Sequence, residues 1–597
     1  MDKFSLLKTA SFVSVFCIAA AIASYGKTNF TSVVSFEATD GANPDSSLIQ
    51  GSDGNFYGTA RFGGLPEATC GYPGCGTAFR LTPEGSLTVL YKFCSLAACA
   101  DGAYPGELVQ SSNGNFYGIT GSGGSGKYCT IRSSSTPGCG TVFSITPAGK
   151  LTTLYSFCSQ ADCRDGYVGG FIAGLIQATS GNFYGTTYGA GANGYGTVFE
   201  MTSTGKLSTL YSFCSKTNCA DGSNALAALF QGSDGNLYGT TNGGGDGSHC
   251  TITGGCGTVF KITPAGKLTT LDSLCNLQNC SDGATPYGAL AQGRDGNFYG
   301  TTYGGGANSS CPGSCGTIFK ITTGGKLTTL YSFCPQTGCS DGFGPWAGLS
   351  LGTDGNFYGT TGYGGNTDGG ASGNGIIFKV TAAGVLTVLY SFDNTGGSVP
   401  FAHLVQATNG TFYGTTTWGG DLSCSSPNGC GTVFNLSVGF GPFVETNPNT
   451  GKQGTKIGIL GQGFSSSSVV KFGGTKAITI ARNGTTFITA TIPAGALTGS
   501  VTVTTGTTTL TSTKTFDVLP TLPSFTPESG PVGTSVTITG TGLKQTTKVT
   551  FDSKVASFTV NSDTEVTADV PVGAMTGKIA ITTKGGSATS TTSFTVN

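Results

Sequence analysis

Cysteine is the residue through which this chain could most readily do chemistry, and its spacing says which chemistry. The 597 residues include 21 cysteines and only 2 histidines. With Cys17 assigned to a leader, twenty remain, and they sort into ten close pairs. Five pairs follow a Y-S-F phrase with four residues between partners: Cys94/Cys99, Cys158/Cys163, Cys214/Cys219, Cys275/Cys280 and Cys334/Cys339. Five precede a G-T-V-F phrase: Cys70/Cys75, Cys129/Cys139, Cys250/Cys256, Cys311/Cys315 and Cys424/Cys430. Where a repeat lacks one member of a pair, around 189–196 and 364–375, it lacks both. Shared loss marks bonded partners, so the reading is disulfides in an oxidising compartment. Zinc would need ribbon-type spacing or imidazole help, and only His249 and His403 could give it. No metal and no cofactor is expected.

The other reactive residue types form no catalytic constellation in the sequence. Arg61, Arg80, Arg132, Arg164 and Arg294 hold unrelated positions within their repeats, so they do not converge as a sialidase-like carboxylate site requires. His249 adjoins a bonded cysteine and His403 stands near a strand start. Neither has an evident Ser, Cys or carboxylate companion. Six connectors carry Asp-Gly, at Asp40, Asp101, Asp165, Asp221, Asp282 and Asp341. One carboxylate per loop makes a poor calcium site, and an Asx turn is the expectation. Aromatic residues that differ between repeats are the binding candidates: Trp346, Trp418, Tyr104, Tyr167, Tyr188, Tyr287, Tyr303 and Phe343. Exposed rings suit sugar faces and protein hot spots alike. The plainer alternative is that they fill gaps between loops.

A repeat positions all of these residues. The phrase L-x-Q-x-x-D-G-N-F-Y-G-T-T is centred on Gly54, Gly114, Gly181, Gly235, Gly296, Gly355 and Gly410. A second phrase, K-L-T-T-L-Y-S-F, begins near Phe30, Ser86, Lys150, Lys206, Lys267, Lys326 and Val385. The chain opens with the second phrase and its last repeat lacks it. That offset suits a closed ring in which residues 31–36 complete the last sheet. Each unit has four strand-like runs, in the fifth 288–293, 297–303, 316–321 and 326–333. Asp-Gly-Asn is a two-residue hairpin signal, and Pro followed by Gly closes the last two strands. The expected class is all-β: a seven-bladed β-propeller with N-terminal strand closure over 29–439, then two immunoglobulin-like sandwiches. The tight hairpins would share one face and all ten cysteine pairs the other. The repeated Tyr57, Tyr117, Tyr184, Tyr238, Tyr299, Tyr358 and Tyr413 are expected to pack unit against unit.

The G-N-F-Y-G-T-T and G-T-V-F-K-I-T phrases resemble the bacterial Gloeo/Verruco (GloVer) repeat over about 30–438. The resemblance implies an extracellular location and brings no activity or catalytic residues. After Val438 cysteine disappears, and two segments align at an offset of about 78 residues. Gly461-Gln462-Gly463-Phe464 answers to Gly540-Thr541-Gly542-Leu543, and Pro493-Ala494-Gly495 answers to Pro571-Val572-Gly573. Their P-x-x-G-x-x-G-T openings, at Pro448 and Pro527, resemble IPT/TIG domains, placed at 440–519 and 520–597. That resemblance implies spacer or protein-contact modules.

Residues 1–23 read as a signal peptide: Lys3 and Lys8, an apolar run from Phe12 to Ile22, and the small residues Ala21 and Ala23. The mature chain is then secreted or held at the cell surface, without a transmembrane span. It ends at Asn597 with no sorting tail. Only 10% of residues are charged, the net charge is −1 and six arginines are scattered along the chain, which excludes nucleic acid as a partner. The expected function is that of an exported, non-enzymatic binding or scaffold protein. It would recognise an extracellular glycan or protein through the stapled loop face. Alternatives are a structural envelope or matrix component, or a polysaccharide lyase or glycoside hydrolase on a propeller. Oligomeric state is left open.

Overall fold

The computed structural model describes residues 28–65, 74–129, 138–169, 174–252, 254–308, 315–335, 338–365 and 373–597. The expected signal peptide lies outside them. Each repeat phrase folds because its polar letters close a turn. In the first repeat, Asp53 accepts hydrogen bonds from the Asn55 backbone N–H (3.1 Å), the Asn55 amide (2.7 Å) and the Tyr57 hydroxyl (2.8 Å). Gly54, between them, sits at φ +87°, where a side chain would be strained. The same knot recurs around Asp234, Asp295 and Asp354. The strand that leaves the turn, Phe56–Ala60 in this repeat, is buried at every position.

Among the described residues, the repeats form seven four-stranded antiparallel sheets. The fifth is built from Ala291–Gln292, Phe298–Thr302, Thr317–Ile321 and Leu327–Ser332. The seventh takes Val405–Gln406, Phe412–Thr416 and Thr432–Ser437 from the last repeat and Asn29–Ser35 from the start of the chain. Asn29 lies opposite Ser437, and Ser35 opposite Thr432.

Packed side chains and isolated backbone hydrogen bonds, not continued sheet, join one repeat to the next. Tyr57 stacks on Phe116 at 4.0 Å, Tyr117 on Phe183 at 4.2 Å, Tyr238 on Phe298 at 3.9 Å. Tyr299 meets Phe357 at 4.1 Å, Tyr358 meets Phe412 at 4.2 Å, and Tyr413 of the seventh repeat meets Phe56 of the first at 4.1 Å. Tyr184 and Leu237 share the core between the third and fourth repeats. The Gln of L-x-Q adds a polar belt. Gln110 accepts from Ser52 N–H (3.0 Å), Gln231 from Thr179 N–H (2.9 Å) and Gln406 from Thr353 N–H (2.9 Å). Gln50 accepts from Thr408 N–H of the seventh repeat at 2.9 Å.

These findings correct the expected fold class. Every sheet is open, and none is closed into a barrel or strongly curled, so the seven-bladed β-propeller is not assigned. The physical reason lies in the hydrogen bonding. Each strand ladder is confined to its own four strands, and neighbouring repeats meet through side chains and single backbone hydrogen bonds, such as Tyr104 N–H to Cys75 O and Thr285 N–H to Cys256 O, both 2.8 Å. The fold is all-β, with seven open four-stranded sheets in successive side-chain contact, followed by two β-sandwiches.

The sandwiches share one strand order, except that the last strand is split into Thr508–Thr511 and Asp517–Leu519 in the first and runs unbroken over Gly586–Val596 in the second. The first pairs sheets around Lys456–Leu460 with Phe487–Thr491 and Val469–Phe472 with Val501–Thr505. The second does so around Ser535–Thr541 with Glu565–Asp569 and Thr546–Phe551 with Gly577–Thr583. Each has its own core, with Phe472 and Phe516 in one and Phe551 and Phe594 in the other. The first sandwich docks on the hairpin face of the repeats. Phe443 N–H donates to Thr408 O at 2.9 Å, the Gln462 amide donates to Thr408 Oγ1 at 2.9 Å, and Thr486 lies against Gly54.

Candidate functional site

The face opposite the docked sandwich carries the second-to-third strand loops and the connectors between repeats. Its connectors are held by the Asp of Asp-Gly. Asp101 accepts from Ser95 N–H (2.9 Å), Leu96 N–H (3.1 Å) and the Tyr91 hydroxyl (2.8 Å). Asp165 and Asp221 repeat the arrangement with Tyr155 and Tyr211. These carboxylates are consumed by loop closure.

Disulfides staple the same connectors and loops. Bridges join Cys94–Cys99, Cys129–Cys139, Cys158–Cys163, Cys214–Cys219, Cys250–Cys256, Cys275–Cys280, Cys334–Cys339 and Cys424–Cys430. Cys75 and Cys315 are also bonded, while their expected partners Cys70 and Cys311 lie outside the described residues. Among the described residues, bridges from loop and connector touch in three repeats. Cys75 with Cys94 and Cys99 is one such group, with all sulfurs within 4.8 Å of one another. As disulfides these sulfurs are not metal ligands.

The variable aromatics fall into separate groups on this face. Trp346 lies between Tyr287 (4.3 Å, stacked) and Phe401 (4.8 Å), with Tyr303 at 5.0 Å. Its ring is largely spent on neighbours, and its Nε1 is buried without an acceptor. Tyr303 is edge-on to Tyr287 at 5.6 Å. Phe343 is buried and stacks on Tyr363, Tyr104 is edge-on to Phe62, and Tyr167 is edge-on to Tyr188 at 6.4 Å. Trp418 is 36% exposed and has no ring partner among the described residues. Burial raises the Tyr287 pKa, reinforced by Tyr303 and Tyr188. It raises Tyr363 with help from Tyr303, and Tyr167 with help from Tyr188. An arc of neutral hydroxyls therefore crosses several repeats. Phe401 and Tyr363 were not among the candidates. Pro286-Tyr287, Pro345-Trp346 and Pro400-Phe401 share one repeat position, and that Pro-aromatic pair was the available signal.

The fourth repeat departs from the pattern at a cavity of about 300 Å³ lined by Lys216, Asp246, Thr270, Asp272, Ser273 and Asn276. Asp272 stands where other repeats place the capping tyrosine. Burial pushes its carboxyl up to about 6, with the nearby Asp282 and Asp246 charges adding to the shift.

A second cluster, unforeseen in the sequence, forms where the first, second and seventh repeats meet. Ser47 Oγ donates to Glu107 Oε1 at 2.9 Å and lies 2.7 Å from His403 Nδ1. His403 Nδ1 is 3.4 Å from Glu107 Oε1, and the His403 backbone N–H donates to Ser47 Oγ at 3.2 Å. Burial alone would raise the Glu107 pKa, but the His403 charge and the hydrogen bonds from His403 and Ser47 hold it below the ordinary value. Burial alone would lower the His403 pKa, but Glu107 lifts it above the ordinary imidazole value. The expectation that His403 lacks a companion is thus corrected. The cluster is still no nucleophilic triad: hydroxyl and carboxylate share one ring nitrogen, so the imidazole cannot relay a proton between them. Among the described residues, the His249 ring meets Ser248 Oγ and the Asn276 carbonyl, and its backbone N–H donates to Cys275 O at 3.0 Å.

Among the described residues, no helix is long and apolar enough to cross a membrane. No curated protein matches the chain. Similar solved structures include a fungal alcohol oxidase of the AA5 family in complex with copper, at 12% identity over 96% of this chain and 99% of that one, TM-score 0.41. PorZ, a bacterial surface component of the type-IX secretion system of Porphyromonas gingivalis, matches at 12% over 81% and 60%, TM-score 0.40. A surface glycan-binding protein from a xyloglucan utilization locus in Bacteroides uniformis matches at 22% over 26% and 48%, TM-score 0.14. At such TM-scores these likenesses carry no argument. Family models are more decisive. The IPT/TIG domain model matches residues 520–596, one domain where the sequence suggested two. The Gloeobacter/Verrucomicrobia repeat model matches residues 21–159, 128–254 and 250–487, well over half of the chain, and the protein belongs to that repeat family.

Proposed function

We propose that this is an exported, non-enzymatic binding protein that recognises an extracellular glycan through its disulfide-stapled loop face. The observation that carries this reading is the placement of the first sandwich. It covers the hairpin face at Thr408 and Gly54, so the stapled face with its aromatic rings and tyrosine hydroxyls stays open. Rings present C–H-complementary faces, and neutral hydroxyls pair with sugar hydroxyls. Bridged loops lose less conformational freedom on engagement. The first sandwich serves as a second IPT/TIG-like spacer, in keeping with the strand order it shares with the second.

Glycan arrays probed with the full chain test the reading. Binding to a defined polysaccharide class, weakened by Trp418→Ala, is expected. An array with no ligand, together with capture of a protein partner, would move the loop face to protein recognition. Release of sugar from any polysaccharide would overturn the non-enzymatic assignment.

A further inference from the structure

We infer that Cys163 is a thiol-reactive site: a low-molecular-weight thiol that attacks it starts a disulfide interchange tying the loop of the second repeat to the adjacent connector. The connector carries Cys158–Cys163 and the loop carries Cys129–Cys139. Cys158 and Cys139 are 1% and 2% exposed, whereas Cys163 and Cys129 are half-buried. A thiol arriving from the medium therefore meets Cys163, not Cys158. The sulfur it frees is Cys158, which forms one group with the sulfurs of Cys129 and Cys139, all within 4.8 Å of one another.

Backbone conformation decides which bridge opens. Cys158 stands at φ +59° and Cys163 at φ +49°, and both cysteines of the other four connector bridges share this left-handed region. A residue with a Cβ is held there at a cost in free energy, which opening the bridge releases. Among the described residues, no cysteine of a loop bridge has a positive φ. Contacts outside the bridges keep loop and connector together. Tyr128 N–H donates to Cys158 O at 2.8 Å, and Cys163 Sγ lies 3.3 Å from Tyr128 O. The loop sulfurs thus stay beside the connector when its bridge is open.

Three exchanges complete the interchange. The external thiolate bonds to Cys163 Sγ, the Cys158–Cys163 bond breaks, and Cys158 leaves with the electron pair. The Cys158 thiolate bonds to Cys139 Sγ, the Cys129–Cys139 bond breaks, and Cys129 leaves as the thiolate on the more exposed side. Cys129 then bonds to Cys163 Sγ and expels the external thiolate. The pairs become Cys139–Cys158 and Cys129–Cys163, no sulfur is oxidised or reduced overall, and the thiol is returned. The fourth repeat holds the same parts: the sulfurs of Cys256, Cys275 and Cys280 lie within 4.8 Å of one another, and His249 N–H donates to Cys275 O at 3.0 Å. The third repeat supplies the control. Its connector has Cys214–Cys219, but its loop at 189–196 has no cysteine.

Peptide mapping of the full chain tests this. Trypsin cuts after Lys127, Arg132, Lys150 and Arg164, which puts Cys129, Cys139 and the Cys158/Cys163 pair on three separate peptides. The chain is incubated with substoichiometric reduced glutathione, capped with N-ethylmaleimide, digested and weighed by mass spectrometry without reduction. Before the thiol, the first two peptides are joined and the third stands alone. Afterwards a species joining all three should accumulate, while Cys214–Cys219 gains no partner from the protein. Cys163→Ser leaves Cys158 without its partner from the outset, so the thiol capped in that variant should be Cys129. Separate reduction or glutathione capping of the two bridges, with no three-peptide species, overturns the inference. So does a Cys163→Ser chain whose capped thiol is Cys158, with Cys129–Cys139 intact.

Discussion

Ser47 Oγ and His403 Nδ1, 356 residues apart in the chain, lie 2.7 Å from each other. With Glu107 they tie the first, second and seventh repeats together at one point, and the tie is electrostatic as well as steric.

Stability should therefore follow pH in a defined window. Glu107 has a folded pKa below its ordinary 4.5, so its contribution is complete above that value and is lost as pH falls through the folded value. His403 has a folded pKa above its ordinary 6.5, so its contribution is complete below that value and is lost as pH rises through the folded one. The pair contributes fully between 4.5 and 6.5. Because 36% of the His403 side chain is exposed, the effect is at most about 1 kcal/mol. Urea denaturation across pH should show this dome, and Glu107→Gln should flatten it. An unchanged profile in that variant would remove the pair as the cause.

The stacked tyrosines should separate packing from hydrogen bonding. Tyr299→Ala empties a fully buried site against Phe357 and should cost about 3–5 kcal/mol. Tyr299→Phe loses only the hydroxyl bond to Asp295 and should cost about 0.5–1.5 kcal/mol. Equal denaturation midpoints for the two variants would contradict the packing account.

Restoring the missing cap in the fourth repeat should stabilise it. Asp272 is held at about 6 by burial and by neighbouring carboxylates, so its charged form weighs against the fold at neutral pH. Asp272→Tyr replaces that charge with the hydroxyl that Asp282 lacks, for a gain on the order of 1–2 kcal/mol. The gain should shrink in acid, where Asp272 is protonated. A gain independent of pH would point to packing instead.

Removing one staple should loosen one loop. Cys158→Ser with Cys163→Ser opens a bridge of sequence separation 5 and should cost about 2 kcal/mol on the chain-entropy account. Hydrogen exchange should speed up in residues 157–166 and leave the second sandwich unaffected. Uniform loss of protection would mean that the bridge supports the whole array.

The two tryptophans should behave oppositely. Trp346→Ala removes a ring packed among Tyr287, Tyr303 and Phe401 and should lower stability by about 3–5 kcal/mol. Trp418→Ala, at an exposed site, should leave the melting temperature almost unchanged and weaken ligand binding. Thermal melts beside glycan titrations separate the two.

Much of the local structure was legible. Asp53, Gly54, Asn55 and Tyr57 close their turn through neighbours within four residues, so the phrase contains its own explanation. The close cysteine pairs and the Asp101 cap are equally short-range. Sequence reasoning went too far in the fold name, because a count of strands does not say how sheets join. It fell short at Gln50, whose partner Thr408 is 358 residues away, and at Trp346, whose exposure depends on the rings that arrive beside it.

By itself the sequence determined the repeat, its strands and hairpins, the close disulfide pairs and the division into a cysteine-rich array and two sandwiches, since each follows from bonds spanning a few residues. Only the tertiary structure decided that Ser47, Glu107 and His403 meet and which face of the array the first sandwich covers. It alone decided that the tip of the first sandwich seats the second through Gln453 and Thr498. Those outcomes depend on surfaces distant in the chain, whose meeting is set by packing and register that no local phrase encodes.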